Sequence, residues 1–270
     1  MHSNTSKKVS AALRAAGFAL EVVEPTDTGV VLGASLWSGP FVDGQVRGVI
    51  AGRDKGEFRL TQFQRPSPTL GARPPAGAVV LFDGKNLDAW QPRSGKGEVK
   101  WRLVEGEAMQ VNGGDIMTRE KFTDFKLHIE FRTPYMPTAS GQGRGNSGVY
   151  PQGRWEIQVL DSYGLEGADN ECGGIYTLAR PAVNACLPPL AWQAYDITFR
   201  GARADASGRK TENARITVVH NGVTIHDNLE LPRTTGGALD DKDTTPGPIL
   251  LQDHGNPVQY RNIWLERVNE

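Results

Sequence analysis

The chain has 270 residues, 38% hydrophobic and 23% charged, and its 30 Lys and Arg against 31 Asp and Glu leave a net charge of −1. That balance argues against a nucleic-acid groove or an anionic membrane surface, and no run of about 18 apolar residues exists to span a bilayer. With 32 glycines and 17 prolines, the composition favours many short strands joined by tight turns, and a neutral small molecule is the expected ligand.

In chain order, residues 1–24 are basic and then mildly apolar, interrupted by Arg14, which reads as a lead-in and not a secretory signal. Val9, Leu13 and Ala16 or Leu20 fall on one side of a short helix over 10–20. Short apolar runs at 30–32, 46–50 and 57–63 suit a small hairpin unit, so residues 1–64 form an N-terminal extension with short strands. Residues 65–77, RPSPTLGARPPAG, are dense in Pro and Gly and mark the domain boundary, as an extended strap or a semi-rigid linker.

The main domain then covers 78–270. VVLFDGKNLDAW gives a strand and a turn, and VKWRLVEGEAMQV a hairpin turning at Glu105 and Gly106. In FKLHIEFRTP, Phe125, Leu127, Ile129 and Phe131 alternate with Lys126, His128, Glu130 and Arg132, the period of a half-buried strand. Next comes GNSGVYPQGRWEIQVLDSY, residues 145–163. Its turn at 151–154 folds Asn146 and Tyr150 onto one face with Glu156 and Gln158, while Val149 and Ile157 turn to the core.

Residues 162–190 form a long excursion that holds Cys172 and Cys186, as a disulfide or as two buried thiols. Tyr195, Ile197 and Phe199 resume the strand pattern. Asn221 and Gly222 then mark a type I′ hairpin, with His220 and His226 expected at solvent-exposed strand ends. The acidic run at 240–243 lacks calcium-loop spacing, and two closing strands meet through His254, Gly255 and Asn256. About a dozen turn-linked strands predict two packed antiparallel sheets, an all-β jelly-roll sandwich whose polar sheet face lines a cleft. No phosphate-binding glycine loop precedes a helix, so no organic cofactor is expected.

Two resemblances bear on function. Residues 156–161, EIQVLD, resemble the E-x-D-x-x-E strand of laminarinase-type β-glucanases, which share the concanavalin-like jelly roll and use paired carboxylates. Here Gln158 replaces the middle acid and Asp161 the last, which locates a cleft but weakens that mechanism. A broader match runs from Val80 to the C-terminus. LFDGKNLDAW, EFR at 130–132, GNSGVYPQGRWEIQVLDSYG, WQAYDITF and GPILLQDHGNPVQYRNIWL together resemble the 3-keto-disaccharide hydrolase family.

That resemblance implies a concanavalin-like fold acting on glycosides that carry a ketone at C3, in bacterial envelope or secreted settings. Such a ketone acidifies the C2 hydrogen, so a base can remove it, the enolate can expel the C1 substituent, and water can add. His254 in QDHGN is the first candidate for base or for ligand of a divalent metal, and Glu156 is its companion in either role. Asp161 is a further catalytic candidate, and Asn146, Gln158, Glu130, Arg261 and Tyr150 are candidates for holding the sugar. A non-catalytic carbohydrate-binding module and a laminarinase-like glycosidase are the rival readings.

Overall fold

The computed structural model describes residues 18–21, 37–38, 41–42, 45–50, 56–62 and 67–268. The chain divides into two compact units, Met1–Arg65 and Pro66–Glu270. The first is an antiparallel sheet of β1 (Phe18–Glu21), β2 (Trp37–Ser38), β3 (Phe41–Val42), β4 (Gln45–Ile50) and β5 (Gly56–Gln62), with order β1-β5-β4-β2 and β3 also on β4. The expected helix over 10–20 is overturned at its end. Ala19 and Leu20 lie in β1, paired with Thr61 and Leu60, because β5 offers a ladder that outweighs a weak local preference. Residues 10–17 and the run at 30–32 lie outside the described residues.

The second unit opens with β6 (Val79–Phe82), β7 (Trp90–Pro92), β8 (Arg102–Val104), β9 (Ala108–Gln110), β10 (Ile116–Thr118) and β11 (Phe125–Arg132). It continues with β12 (Ser147–Tyr150), β13 (Ile157–Val159), β14 (Gln193–Arg200), β15 (Arg203–Ala204) and β16 (Lys210–Glu212). The chain closes with β17 (Ala214–His220), β18 (Val223–Leu231), β19 (Leu250–Leu251) and β20 (Gln259–Arg267). A large antiparallel sheet runs β18-β17-β14-β11-β20-β9-β8, with β6 on β20, and a smaller one runs β13-β12-β19-β10-β7. Among the described residues there is no α-helix.

One core joins the sheets. Phe125, Leu127, Ile129 and Phe131 of β11 and Ile197 and Phe199 of β14 enter it from the large sheet. Trp90, Ile116, Val149, Ile157, Val159 and Leu251 enter from the small one. The period-2 pattern of β11 therefore separates an apolar inner row from a polar outer row. Truncating one of the buried Phe side chains would cost about 3–5 kcal/mol. This architecture is the jelly-roll sandwich anticipated from the turn-linked strands.

Turn chemistry follows the sequence where it must. Asn221 and Gly222 carry φ of 51° and 78°, the positive values a type I′ hairpin needs. The flanking histidines depart from expectation, since both are buried. His220 packs among Phe131 and Tyr195, and burial pushes its pKa down to about 3; His226 Nε2 donates to the carbonyl of Gly173 at 2.7 Å. The 162–190 excursion folds over these strand ends, and local hydropathy carries no sign of that cover. Cys172 and Cys186 are buried free thiols.

Residues 67–77 lie along the outer face of the large sheet. Thr69 donates to Asp196 at 2.6 Å, and the Gly71 amide donates to Glu130 at 2.5 Å. Asn262 and Trp264 donate to the Ala72 carbonyl at 2.9 and 3.2 Å. The Pro-rich segment thus finds side-chain partners where it has no ladder of its own.

Candidate active site

The outer face of the small sheet is built by register. Val149 pairs with Ile157 and Leu251, all core residues, so the alternate positions point away from the core. Across the strands this gives one row of Glu156, Tyr150, Leu250, Met117 and Gln91. A second row holds Gln158, Gly148, Gln252, Asp115 and Arg93. Glu156, Tyr150 and Gln158 are buried under loops, whereas Gln91, Arg93, Asp115, Met117 and Gln252 are partly exposed. The open side of the face is therefore at β7, β10 and β19, and the acid lies at its inner end.

Loops supply the cover and fix it. The Glu156 amide donates to Thr235 at 2.8 Å, and the Tyr150 hydroxyl stands 3.2 Å from the Gly236 carbonyl. The Arg154 guanidinium, 3% exposed, pairs with Asp240 at 2.7 Å and donates to the Thr245 carbonyl at 2.8 Å, anchoring the same loop. Gly148 leaves room for the acid: a Cβ there would stand 2.6 Å from Glu156 Oε1 and 2.8 Å from Tyr150 Cε2.

Glu156 is the most perturbed acid of this face. Burial raises its carboxyl from 4.5 to about 7; a hydrogen bond with Tyr150 opposes the rise, and the nearby Asp115 charge adds to it. It therefore passes between acid and base near neutrality, the condition for efficient proton transfer in both directions. Burial also drives the Tyr150 hydroxyl far upward, with the Glu156 charge next in effect, so this phenol stays protonated. Gln252 donates to Tyr150 at 3.1 Å, and Arg93 pairs with Asp115 at 2.9 Å.

Asn146 and Gln158 join this face as expected. Gln158 Nε2 donates to Gln142 Oε1 at 3.0 Å and to Asn146 Oδ1 at 3.3 Å, and Asn146 donates in turn to the Gln142 carbonyl at 2.8 Å. Asp161, near the end of the strand, is engaged elsewhere. Its Oδ2 lies 3.3 Å from Arg144, and its carbonyl also accepts from that guanidinium, the partners of a loop clasp. Burial raises the Asp161 carboxyl, and the Arg144 charge partly offsets the rise.

Glu130 and Arg261 do not converge with Glu156. They lie on the outer face of the large sheet, across the core, because Glu130 alternates with the inward Ile129 and Phe131. Arg261 donates to Glu130 at 2.7 Å and stacks on Trp192 at 4.1 Å, and Asn262 donates to Glu130 at 2.8 Å. A bulge in β20, with Asn262 at φ 45°, turns both neighbours to the same carboxylate. Burial opposes its ionisation, but bonds from His128, Asn262, the Gly71 amide and Arg261 hold Glu130 down at about 2. This is a fully paired structural acid under the strap.

His254 sits in an exposed turn. Asp253 closes that turn, accepting from the amides of Gly255 at 2.8 Å and Gly114 at 2.7 Å, while its own amide donates to Asp115. The His254 imidazole is exposed and forms no hydrogen bond or ion pair with any described residue, Glu156 included. Among the described residues no three His, Cys, Asp or Glu side chains stand close enough to hold a metal ion. Sequence reasoning missed Gly148, Gln252, Asp115 and Arg93; only their register across four strands reveals them.

Fold and face together define a jelly-roll sandwich with a carboxylic acid, a phenol and amides gathered on one covered sheet. The chain belongs to the 3-keto-alpha-glucoside-1,2-lyase-like domain family, whose model matches residues 77–266. A solved candidate glycosyl hydrolase from Parabacteroides distasonis ATCC 8503 is 39% identical, with 72% of this chain and 85% of that one aligned and a TM-score of 0.66. A second candidate glycosyl hydrolase from the same organism, 19% identical over 72% and 95% with a TM-score of 0.53, shares the fold. No curated protein matches the chain.

Proposed function

We propose that this protein cleaves 3-keto-glycosides, with Glu156 as the proton-transfer group. The family and the 39% identical relative support a glycoside-active enzyme in the broad sense. The single observation that carries the finer reading is Glu156 itself, a carboxyl 3% exposed and held near 7 by burial, where a ketone-activated C–H must be deprotonated.

In this reading the Glu156 carboxylate takes the C2 proton. The C–H electron pair forms the C2–C3 enolate, which collapses to expel the C1 substituent, and the leaving oxygen receives the proton from Glu156. Water then adds at C1, losing its proton to Glu156, and C2 is reprotonated, so one water is consumed overall. Tyr150 holds the carboxyl in place, and Arg93 and Asp115, whose charges both reach Tyr150 and of which Asp115 also reaches Glu156, border the open side of the face. Arg93 supplies positive potential for the enolate oxygen.

Assigning the base to Glu156 moves that role from the exposed His254 to the covered hairpin. The reading is tested by incubating the protein with methyl 3-keto-glucosides and with the matching unoxidised glucosides. Cleavage of the 3-keto sugars, lost in Glu156→Gln, is expected. Cleavage of the unoxidised sugars alone would replace this reading with the glycosidase one, and binding without cleavage would replace it with a carbohydrate-binding module.

A further inference from the structure

The second cross-strand row of the site contains an oddity. Gln158 of β13 and Gln252, one residue past β19, flank Gly148, since Gly148 pairs with Gln158 and the Gln252 amide donates to the Gly148 carbonyl at 3.0 Å. Each amide is oriented by its nitrogen. Gln158 Nε2 faces the acceptors on Gln142 and Asn146, and Gln252 Nε2 donates to the Tyr150 hydroxyl. Both Oε1 atoms are then left over. They are buried and accept no hydrogen bond from the described residues.

A buried carbonyl oxygen without a donor is costly, and folded chains rarely leave two on one row. Here both belong to side chains on a sheet face whose intervening position has no side chain at all. Two strand spacings separate the glutamine backbones by roughly 10 Å. The glycine lies between them, and the Glu156 carboxyl and the Tyr150 ring of the adjacent row fill the space over it. What the row lacks is a donor from outside the chain, with more than one O–H.

We propose that Gln158 and Gln252 are paired acceptors for two hydroxyl groups of the sugar. This rests on the reading of the face as a 3-keto-glycoside site and adds to it two binding contacts. The ligand class is a polyhydroxylated ring presenting donors on opposite edges. The pair acts in binding and positions the ring; it transfers no proton.

The test uses the purified protein with methyl 3-keto-glucoside and its 2-, 4- and 6-deoxy forms. Gln252→Met and Gln158→Met keep side-chain length and remove the acceptor together with the Nε2 donor. Each is expected to raise KM about 10-fold while kcat changes by less than about 3-fold. Removing the matching sugar hydroxyl should cost the wild type about as much, and should cost the variant little more. Each variant also loses the Nε2 donor that bonds Gln142 and Asn146 or Tyr150, so both should melt about 2–12 °C below the wild type, and KM is read at a temperature where they are folded.

If KM stays within about 2-fold in both variants, and no deoxy sugar binds the wild type more than about 2-fold weaker, the acceptor pair is overturned while the proposed function stands. The deoxy series needs no folded variant, so it decides the matter even if a substitution unfolds the chain. If the wild type neither binds nor cleaves the 3-keto sugar, the proposed function fails. Calorimetry with methyl glucoside then decides the pair: weaker binding in Gln252→Met sustains it, and no sugar binding by the wild type overturns it as well.

Discussion

Replacing Glu156 by Gln removes the only group of the inner row that titrates near neutrality, and its effect on stability can be worked out before any substrate is added. The carboxyl, ionised at neutral pH in the unfolded chain, is raised from 4.5 to about 7 in the folded one. The folded state therefore holds the extra proton between those values, and stability falls as pH rises through that window. At about 1.4 kcal/mol per pH unit, the interval amounts to about 3 kcal/mol that the wild type loses and Glu156→Gln does not. For a unit of this size that corresponds to a difference of about 6–12 °C in melting temperature.

The assay is a pair of thermal melts for wild type and variant at pH 4.5 and pH 8.5. The variant should gain on the wild type steadily between pH 4.5 and 7 and hold a constant lead above. Turnover should fall by about 100- to 10,000-fold in the same variant. A gap between the two melting temperatures that does not change with pH would refute the argument, because it would mean that Glu156 ionises as freely in the folded chain as in the unfolded one.

Other expectations follow from the two faces of the sandwich. Glu130→Gln leaves Arg261 beside a neutral amide and should cost about 3 kcal/mol or more in urea unfolding, with kcat of the folded protein intact. The Glu130 carboxyl is held down at about 2, so its contribution is present above pH 4.5 and is lost as pH falls toward 2; an acid titration of the variant without that loss is the companion observation. A large fall in kcat at unchanged stability would instead place Glu130 in the chemistry. Gly148→Ala drives a methyl to 2.6 Å from Glu156 Oε1 and should cost about 1–3 kcal/mol along with most of the activity; a fully active variant would show that this seat is wider than the structure makes it. His254→Ala, at an exposed turn, should stay within about 0.5 kcal/mol and keep kcat within about 3-fold, and a loss comparable to that of Glu156→Gln would return the base to His254.

Much of the site was legible as periodicity. Trp155, Ile157 and Val159 against Glu156 and Gln158 defined the polar face of the hairpin, and the turn at 151–154 brought Tyr150 and Asn146 to it, because a strand's alternation is a local property that pairing preserves. The same logic misled at Glu130. Alternation shows that a residue leaves the core, but it does not show on which of two sheets it leaves. Glu130 and Glu156 carry identical local signals and stand on opposite sides of the sandwich. His220 and His226 failed for a related reason, since the cover that buries them comes from a loop some 50 residues away along the chain, well beyond any local window.

The sequence by itself determined the strands, their inward faces, the Asn221–Gly222 turn and the family, because backbone pleat, turn chemistry and contiguous motifs are written along the chain. Tertiary structure alone decided that Gly148, Gln252, Asp115 and Arg93 share a face with Glu156. It also decided that loops bury that acid enough to lift it to about 7, and that two glutamine oxygens beside it have no donor among the described residues. Burial and cross-strand register are sums over segments far apart in sequence, and a carboxyl takes its acidity from that sum.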